Sequence, residues 1–283
     1  MQPTIAKLSS LFAIMPTRPK EFCGRVATMI EGLVEPYRRK PPSYQPVEWQ
    51  TLVGRLSELL GTSVEEVLQE HELRRVEADV IHGLKAMPPD APFISDHNGD
   101  LRLAHLCYAL ARIRRPSVIV ETGVCYGVTS AFLLKAIQVN GSGVLHSIDL
   151  PPLGKAADDF VGRLVARELR ANWRLHRGRS QDLLPGIVRE VGMVNLFVHD
   201  SLHTYRNMRR EFETVTPKLA SDGLIIADDV EGNCAFPEWV SHSSPAYSAV
   251  VQEGSKHSLL GVALLQGNAV RERSLASLAA NRS

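Results

Sequence analysis

Short apolar runs alternate with helix-length segments from residue 117 onward, and this alternation constrains the fold more than any other feature. The segments between the runs are long enough for the crossover helices that join parallel strands. Strands that are apolar along nearly their whole length are typical of a sheet covered on both faces. We therefore predict five parallel strands, at residues 117–121, 144–148, 173–176, 194–198 and 223–227.

The last two apolar runs follow a different rule. Residues 247–252 and 259–265 are separated only by residues 253–258, too few for a crossover helix. Strands joined by so short a connection pair antiparallel to each other. The sequence therefore predicts an α/β fold in which a seven-stranded, mostly parallel sheet ends in an antiparallel hairpin.

Residues 19–40 and 44–87 show helical periodicity, and we predict that residues 1–95 form a helical extension ahead of the sheet. Residues 62–66 resemble a capped helix start, and an earlier helix ends in a basic stretch at 38–40. The apolar positions of that earlier helix recur every four residues, at Phe22, Val26, Ile30 and Val34. We expect the extension to act as a cap, a lid or a dimerisation element. The α/β domain then spans residues 96–267, and residues 268–283 form a flexible tail.

The charge balance and the cysteine pattern exclude several classes of protein. The formal net charge is +1, so no basic field attracts nucleic acid. The four cysteines lie far apart without a C-x-x-C pair, which favours free thiols in a reducing compartment. No apolar run approaches the roughly 18 residues needed to span a bilayer. We therefore expect a cytoplasmic protein with no nucleic-acid partner and no membrane span.

A glycine-rich turn at residues 121–127 follows the first strand and opens a helix. Gly123 permits close backbone approach, and Gly127 lets the N–H donors of the helix N-terminus face a ligand. Asp149 ends the second strand about 20 residues farther on, where a carboxylate can accept both ribose hydroxyls of an adenosyl group. The dinucleotide fingerprint G-x-G-x-x-G is absent, which disfavours NAD. A tight turn without a ligand, with Asp149 as a turn or cap acid, remains the alternative.

Polar side chains also follow the third, fourth and fifth strands. Ser180 and Gln181 could hydrogen-bond an adenine edge, although Ser180 alone is equally a helix cap. Asp200, Asp228 and Asp229 come at the carboxyl ends of neighbouring strands, where open α/β sheets bind ligands. Because carboxylates are hard oxygen ligands, the three acids predict a site for Mg²⁺ or another divalent cation.

His203 follows Asp200 by three residues and is the predicted general base, because imidazole titrates near neutral pH. Together, His203 and Asp200 are the predicted catalytic pair. His199 is the weaker alternative, since it lies nearer the strand and can face the interior. Five other histidines are expected to be structural: His105, His146, His176, His242 and His257.

Taken in order, these motifs resemble the class I, S-adenosylmethionine-dependent O-methyltransferases that act on small molecules. The similarity covers about residues 100–265 and is greatest to the catechol-type and the bacterial sugar or natural-product branches. A Glu-x-Gly turn, an acid after strand two, a Gly-x-Ser-Gln-Asp segment and an Ala-Asp-Asn end to strand five are features of the catechol-type enzymes. Here they are Glu121 with Gly123, Asp149, residues 178–182 and residues 227–229.

The resemblance implies a Rossmann-like sheet, S-adenosyl-L-methionine as cofactor and O-methylation of a small-molecule hydroxyl in natural-product biosynthesis. It also implies cofactor contacts by Glu121, Gly123, Thr129, Asp149, Ser180 and Gln181, to which the turn adds Gly127, and metal ligation by Asp200, Asp228 and Asp229. Asp229 replaces the usual Asn, and His203 stands near the position of a catalytic Lys.

The sequence leaves two other functional classes open. One is an enzyme of another type on the same scaffold, such as a metal-dependent hydroxylase or an NAD-linked enzyme. Iron sites usually combine two histidines with one carboxylate, but adjacent positions on one strand, such as His199 and Asp200, point in opposite directions. The other is a non-catalytic scaffold. The three acids at the carboxyl edge of the sheet argue against it, because a protein without a functional site has no need to bring like charges together.

Overall fold

A computed structural model describes residues 5–35, 42–93, 100–154, 156–254 and 258–267. Its centre is a seven-stranded sheet with the order β3-β2-β1-β4-β5-β7-β6. Six of the strands run in one direction, and β7 runs in the opposite direction between β5 and β6. The strands are β1 Val118–Thr122, β2 Val144–Asp149, β3 Trp173–Arg177, β4 Val194–His199, β5 Leu219–Ala227, β6 Tyr247–Gln252 and β7 Leu259–Leu264. The predicted Rossmann-like sheet with its terminal hairpin is confirmed.

The helices lie before, between and after these strands. They are α1 Ile5–Ala13, α2 Pro19–Val34, α3 Trp49–Leu60, α4 Val64–Leu68, α5 His71–Lys85, α6 Leu101–Arg114, α7 Val128–Asn140, α8 Ala157–Phe160, α9 Ser180–Val191, α10 Tyr205–Val215 and α11 Ala235–Ser243. Between β2 and β3, the described residues form the one-turn α8 and a short 3₁₀ helix, where the sequence predicted a crossover helix. β3 lies at the sheet edge and is largely exposed, so little apolar surface there needs covering.

The helices α3 to α5 pack into the same hydrophobic core as the sheet. Leu52, Leu56, Leu73 and Val80 are buried in one cluster with side chains of α6, α7 and the strands. As predicted, a capped helix starts near residue 62, because the Ser63 hydroxyl accepts the backbone N–H of Glu66. This part of the N-terminal region is therefore built into the core.

The helix α2 packs with its polar face toward the domain. Glu21, Arg25 and Glu31 contact the loops at the carboxyl edge of the sheet, whereas Ile30 and Leu33 are exposed. The surface that α2 meets on the domain is polar. The basic stretch at 38–40, the boundary near residue 95, His257 and the tail at 268–283 lie outside the described residues. Within the described chain, no helix combines the length and apolarity needed to cross a bilayer.

Candidate active site

Strand register brings the ends of the central strands together. In the sheet, Thr122 pairs with His199, and His199 pairs with Ala227. The next residue of each strand continues the alignment, because the Asp200 N–H donates to the Thr122 carbonyl and the Asp228 N–H to the His199 carbonyl, both at 2.8 Å. Strand order reverses between β1 and β4, the point where open α/β sheets bind ligands. The predicted turn and the predicted acids therefore share one edge.

The glycine-rich turn depends on glycine for its own packing. Gly123 has φ +87°, and a Cβ there would lie 1.8 Å from the carbonyl oxygen of Asp200. Gly127 has φ +90°, and a Cβ there would lie 2.8 Å from the Cα of Gly162. The sequence interpretation assigned both glycines to ligand approach, but each position already needs glycine for chain contacts.

Asp149 holds the turn and keeps one oxygen available. Its Oδ2 accepts the backbone N–H groups of Val124 at 2.7 Å and Cys125 at 2.9 Å. Its Oδ1 accepts no hydrogen bond from any residue the structure describes. Burial raises the pKa of this carboxyl, against the effect of the two N–H donors. Asp149 is therefore the turn acid of the alternative interpretation, and its Oδ1 remains available as an acceptor at the carboxyl edge of the sheet.

Glu121 lies beneath the turn and is fully buried. Its Oε2 accepts the hydroxyls of Ser130 and Ser147, each at 2.6 Å, while Oε1 is buried without a hydrogen-bond partner. Burial raises the pKa of Glu121 to about 7, although the two hydroxyls act in the opposite direction. A buried oxygen without a donor fits a residue that awaits a ligand donor or a proton.

Three further predicted cofactor residues differ in how far their side chains are already hydrogen-bonded within the protein. Thr129 is buried in the first turn of α7, and its hydroxyl has no hydrogen-bond partner. Ser180 begins α9 and is also buried, with a long 3.4 Å contact to the Asn207 side chain. Gln181 is engaged by Arg210, which donates to its side-chain oxygen at 2.8 Å. Thr129 thus offers the most open hydrogen-bonding capacity of the three.

The predicted metal and base residues form two overlapping groups. Ligand atoms of Asp200, His203 and Asp228 lie within 4.8 Å of one another, and so do those of Asp228, Asp229 and Glu253. His203 Nε2 lies 4.0 Å from Asp200 and 3.6 Å from Asp229. Asp228 is common to both groups, and Glu253 was not predicted from the sequence.

Burial and the neighbouring His199 hold the pKa of His203 well below its usual range. Its ring stands edge-on to that of His199, with centroids 5.5 Å apart. His199 is fully buried and contacts Glu211 at 2.6 Å, so it does face the interior, as expected for the weaker base candidate. His203 is the neutral, partly exposed imidazole of the site.

Glu211 is a buried anion that the sequence analysis missed. Its Oε2 accepts Thr122 Oγ1 and His199 Nδ1 at 2.6 Å, and its Oε1 accepts the side chains of Ser201 and Asn207 at 2.8 and 2.9 Å. Burial acts to raise its pKa, but His199 and the hydroxyl donors lower it to about 2. The carboxylate ties the ends of β1 and β4 to α10. The available signal was a Glu on the apolar face of α10, beside Met208, Phe212 and Val215.

Glu253 directly follows β6 and is 2% exposed. Its Oε2 accepts the Ser258 hydroxyl, and its Oε1 is buried without a hydrogen-bond partner. Burial and the adjacent Asp228 raise its pKa. The signal that could have identified it is an acid at the end of the penultimate strand. Its meeting with Asp228 depends on β7 lying between β5 and β6, which the local sequence pattern does not reveal.

The helix α2 crosses the carboxyl ends of β2, β3 and β4. Arg25 donates to the Pro151 carbonyl at 2.6 Å, and Arg177 donates to Glu21 at 2.8 Å. Glu31 accepts the Thr204 hydroxyl, and Glu35, just past the helix, accepts the Tyr205 backbone N–H at 2.6 Å. Polar contacts thus hold α2 against the loops that surround the cofactor-type residues.

Comparison with known proteins gives a family match for the centre of the chain. Residues 120–230 match a family model described as a methyltransferase domain. These residues run from β1 to just past β5 and include every predicted site residue. A search of curated proteins found no significant match.

Three solved structures share the fold at low sequence identity. The O-methyltransferase TomG from Streptomyces achromogenes, involved in tomaymycin synthesis and solved with S-adenosylmethionine (SAM), is 19% identical with a TM-score of 0.51, covering 77% of this chain and 97% of that one. An O-methyltransferase from Bacillus cereus, solved with S-adenosylhomocysteine (SAH), is 15% identical with a TM-score of 0.53, covering 77% and 98%. SAH-bound PaMTH1 from Podospora anserina is 12% identical with a TM-score of 0.50, covering 80% and 100%.

These structural likenesses show the fold, and the family model shows the type of domain. The residues that the model matches form the turn, the acids and the sheet edge described above. Together they identify residues 120–230 as a methyltransferase domain built on a Rossmann-like sheet.

Proposed function

We propose that this protein transfers the methyl group of SAM to a hydroxyl oxygen of a small molecule, such as a sugar, a glycan or a natural product. The observation that supports this most is Asp149, a buried acid at the end of β2: its Oδ2 fixes the turn, while its Oδ1 accepts no hydrogen bond from the described residues. That oxygen can accept the hydroxyls of an adenosyl ribose. The unpartnered Glu121 Oε1 and Thr129 hydroxyl fit a polar ligand in the same cleft.

The residues around the sheet mouth would position the acceptor and take its proton. When bound, SAM supplies a methyl sulfonium whose S–CH₃ bond breaks as the O–CH₃ bond forms, leaving SAH. His203, neutral because of its low pKa, accepts the hydroxyl proton at Nε2. Asp200 and Asp229 flank that nitrogen and stabilise the resulting imidazolium. Positioning and deprotonation are what the protein contributes.

A divalent cation is part of the proposal, because the donor set at the sheet mouth consists mainly of hard carboxylate oxygens. Asp200, Asp228 and Asp229 are the residues proposed from the sequence to hold it. Such a cation would supply positive charge that lowers the pKa of a bound acceptor hydroxyl. Two proteins that share the fold are O-methyltransferases, which agrees with an oxygen acceptor.

The N-terminal region is proposed to cap the cofactor cleft. The contacts of α2 with Pro151, Arg177 and Tyr205 support this role, since they span three loops at the cleft. Its outward-facing apolar side chains, Ile30 and Leu33, support pairing with a second copy of the chain, which light scattering of the purified protein would test. We place the reaction in the cytoplasm and in natural-product biosynthesis.

Calorimetric titration with SAH and SAM, with NAD as the comparison ligand, tests the function. We expect micromolar binding of SAH or SAM and none of NAD. Asp149→Asn should keep an acceptor for the turn amides but weaken SAH binding about tenfold or more, because one favourable charge-assisted acceptor is lost. The matched control is Asp159→Asn, which removes an exposed charge on α8. A folded protein that binds neither compound would refute the proposal and favour the hydroxylase or scaffold alternatives.

A further inference from the structure

The hairpin side of the sheet mouth holds a compact group of three carboxyls. Oxygens of Asp228, Asp229 and Glu253 lie within 4.8 Å of one another. Asp228 and Asp229 follow β5, whereas Glu253 follows β6 on the far side of β7. The sheet order therefore brings a remote acid to a pair that is adjacent in the chain.

Burial makes Glu253 more than a surface acid near other acids. Its side chain is nine-tenths buried or more, Oε2 is occupied by the Ser258 hydroxyl, and Oε1 has no hydrogen-bond partner. A buried carboxyl oxygen without a donor is costly, and a second buried carboxylate beside it adds repulsion. A cation between the three carboxyls would compensate both.

The neighbouring group differs in composition. Asp200 and His203 also approach Asp228, and among the described residues neither shares a group of close ligand atoms with Glu253, although His203 Nε2 lies 3.6 Å from Asp229. A nitrogen ligand suits transition metals, while an all-carboxylate set suits hard cations such as Mg²⁺ or Mn²⁺. The two groups that share Asp228 are therefore suited to different tasks.

We propose that Glu253 is a ligand of the divalent cation, which lies on the hairpin side of the site between Asp228, Asp229 and Glu253. Asp200 and His203 are then directed to the acceptor hydroxyl and its proton. This inference rests on the proposed metal-assisted methyl transfer. It replaces Asp200 by Glu253 in the set of metal ligands that the sequence suggested.

Titration of the full-length, EDTA-treated protein with Mn²⁺, followed by the electron paramagnetic resonance signal of free Mn²⁺, tests the assignment without any turnover. Glu253→Gln keeps an oxygen acceptor for Ser258 and should weaken Mn²⁺ binding about tenfold or more. Glu231→Gln is the matched control, because Glu231 lies in the same acidic field but accepts the Leu259 N–H. We expect it to change Mn²⁺ affinity less than about threefold. Circular dichroism melting verifies that the variants fold. Glu253→Asp, whose shorter side chain withdraws the carboxylate from Asp228 and Asp229, is the second variant.

The comparison with Asp200→Asn decides between the two ligand sets. If Asp200→Asn weakens Mn²⁺ binding less than Glu253→Gln does, the assignment holds. Equal Mn²⁺ affinity in Glu253→Gln and the unaltered protein would overturn it, as would no Mn²⁺ binding at all. SAH calorimetry on the same samples separates the two levels: retained SAH binding supports the methyltransferase function even where the metal assignment fails.

Discussion

Replacing Glu211 by glutamine should be the most destabilising conservative change at the site. The carboxylate is 1% exposed and accepts four side-chain donors, two on each oxygen. Glutamine keeps one acceptor and turns an NH₂ group toward the two other donors. Each buried group left unsatisfied costs about 1–3 kcal/mol, and two of the four donors lose their acceptor in this variant. We expect a loss of about 3–5 kcal/mol in the free energy of unfolding.

Urea denaturation at pH 7.5, followed by far-ultraviolet circular dichroism, measures this loss. Glu213→Gln on the same helix is the control, because Glu213 is 61% exposed and forms a surface ion pair with Arg209. It should change the free energy of unfolding by less than about 0.5 kcal/mol. The pKa of Glu211 is lowered to about 2, so its contribution is complete above the ordinary value of 4.5 and is lost as pH falls through 2. The destabilisation should therefore be constant from pH 6 to 8. A loss below about 1 kcal/mol would refute the anchoring role.

Three further changes test the turn, the buried acid and the cap. Gly123→Ala should abolish SAH binding in calorimetry, because its Cβ meets the Asp200 carbonyl. Gly141→Ala, at φ +72° with open space around it, should lower the free energy of unfolding by only about 1–2 kcal/mol. Equal effects of the two substitutions would contradict the packing argument. The pKa of Glu121 is raised from 4.5 to about 7, so its stabilisation is complete below pH 4.5 and is lost as pH rises through 7, roughly 3 kcal/mol in all. Denaturation of Glu121→Gln should give a flatter stability profile between pH 5 and 7, and an unchanged slope would exclude this cause. Removing the charges of Glu31 and Glu35 together should speed SAH release several-fold in stopped-flow fluorescence. Added salt should speed SAH release in the unaltered protein but not in the double variant. An unchanged rate of SAH release in the double variant would argue against a cap.

Local patterns determined most of the sheet and its order of elements. The apolar runs located every strand to within a few residues, and the short segment before Leu259 predicted the hairpin. The same reasoning placed Gly123, Asp149 and Asp200 at strand ends. These predictions succeed because periodicity and connection length are encoded by residues close together in the chain. The β2–β3 crossover was the exception, since an exposed edge strand does not require a covering helix.

Partners distant in sequence were decided only by the tertiary structure. Glu211 became a buried anion because α10 turns it toward His199 and Thr122, and Glu253 reached Asp228 because β7 inserts between β5 and β6. The polar face of α2 likewise found its partners on loops more than a hundred residues away. The sequence by itself determined which chemistry each strand end offers. Which charges face each other was set by packing, because a charge enters a core only where distant elements supply its donors.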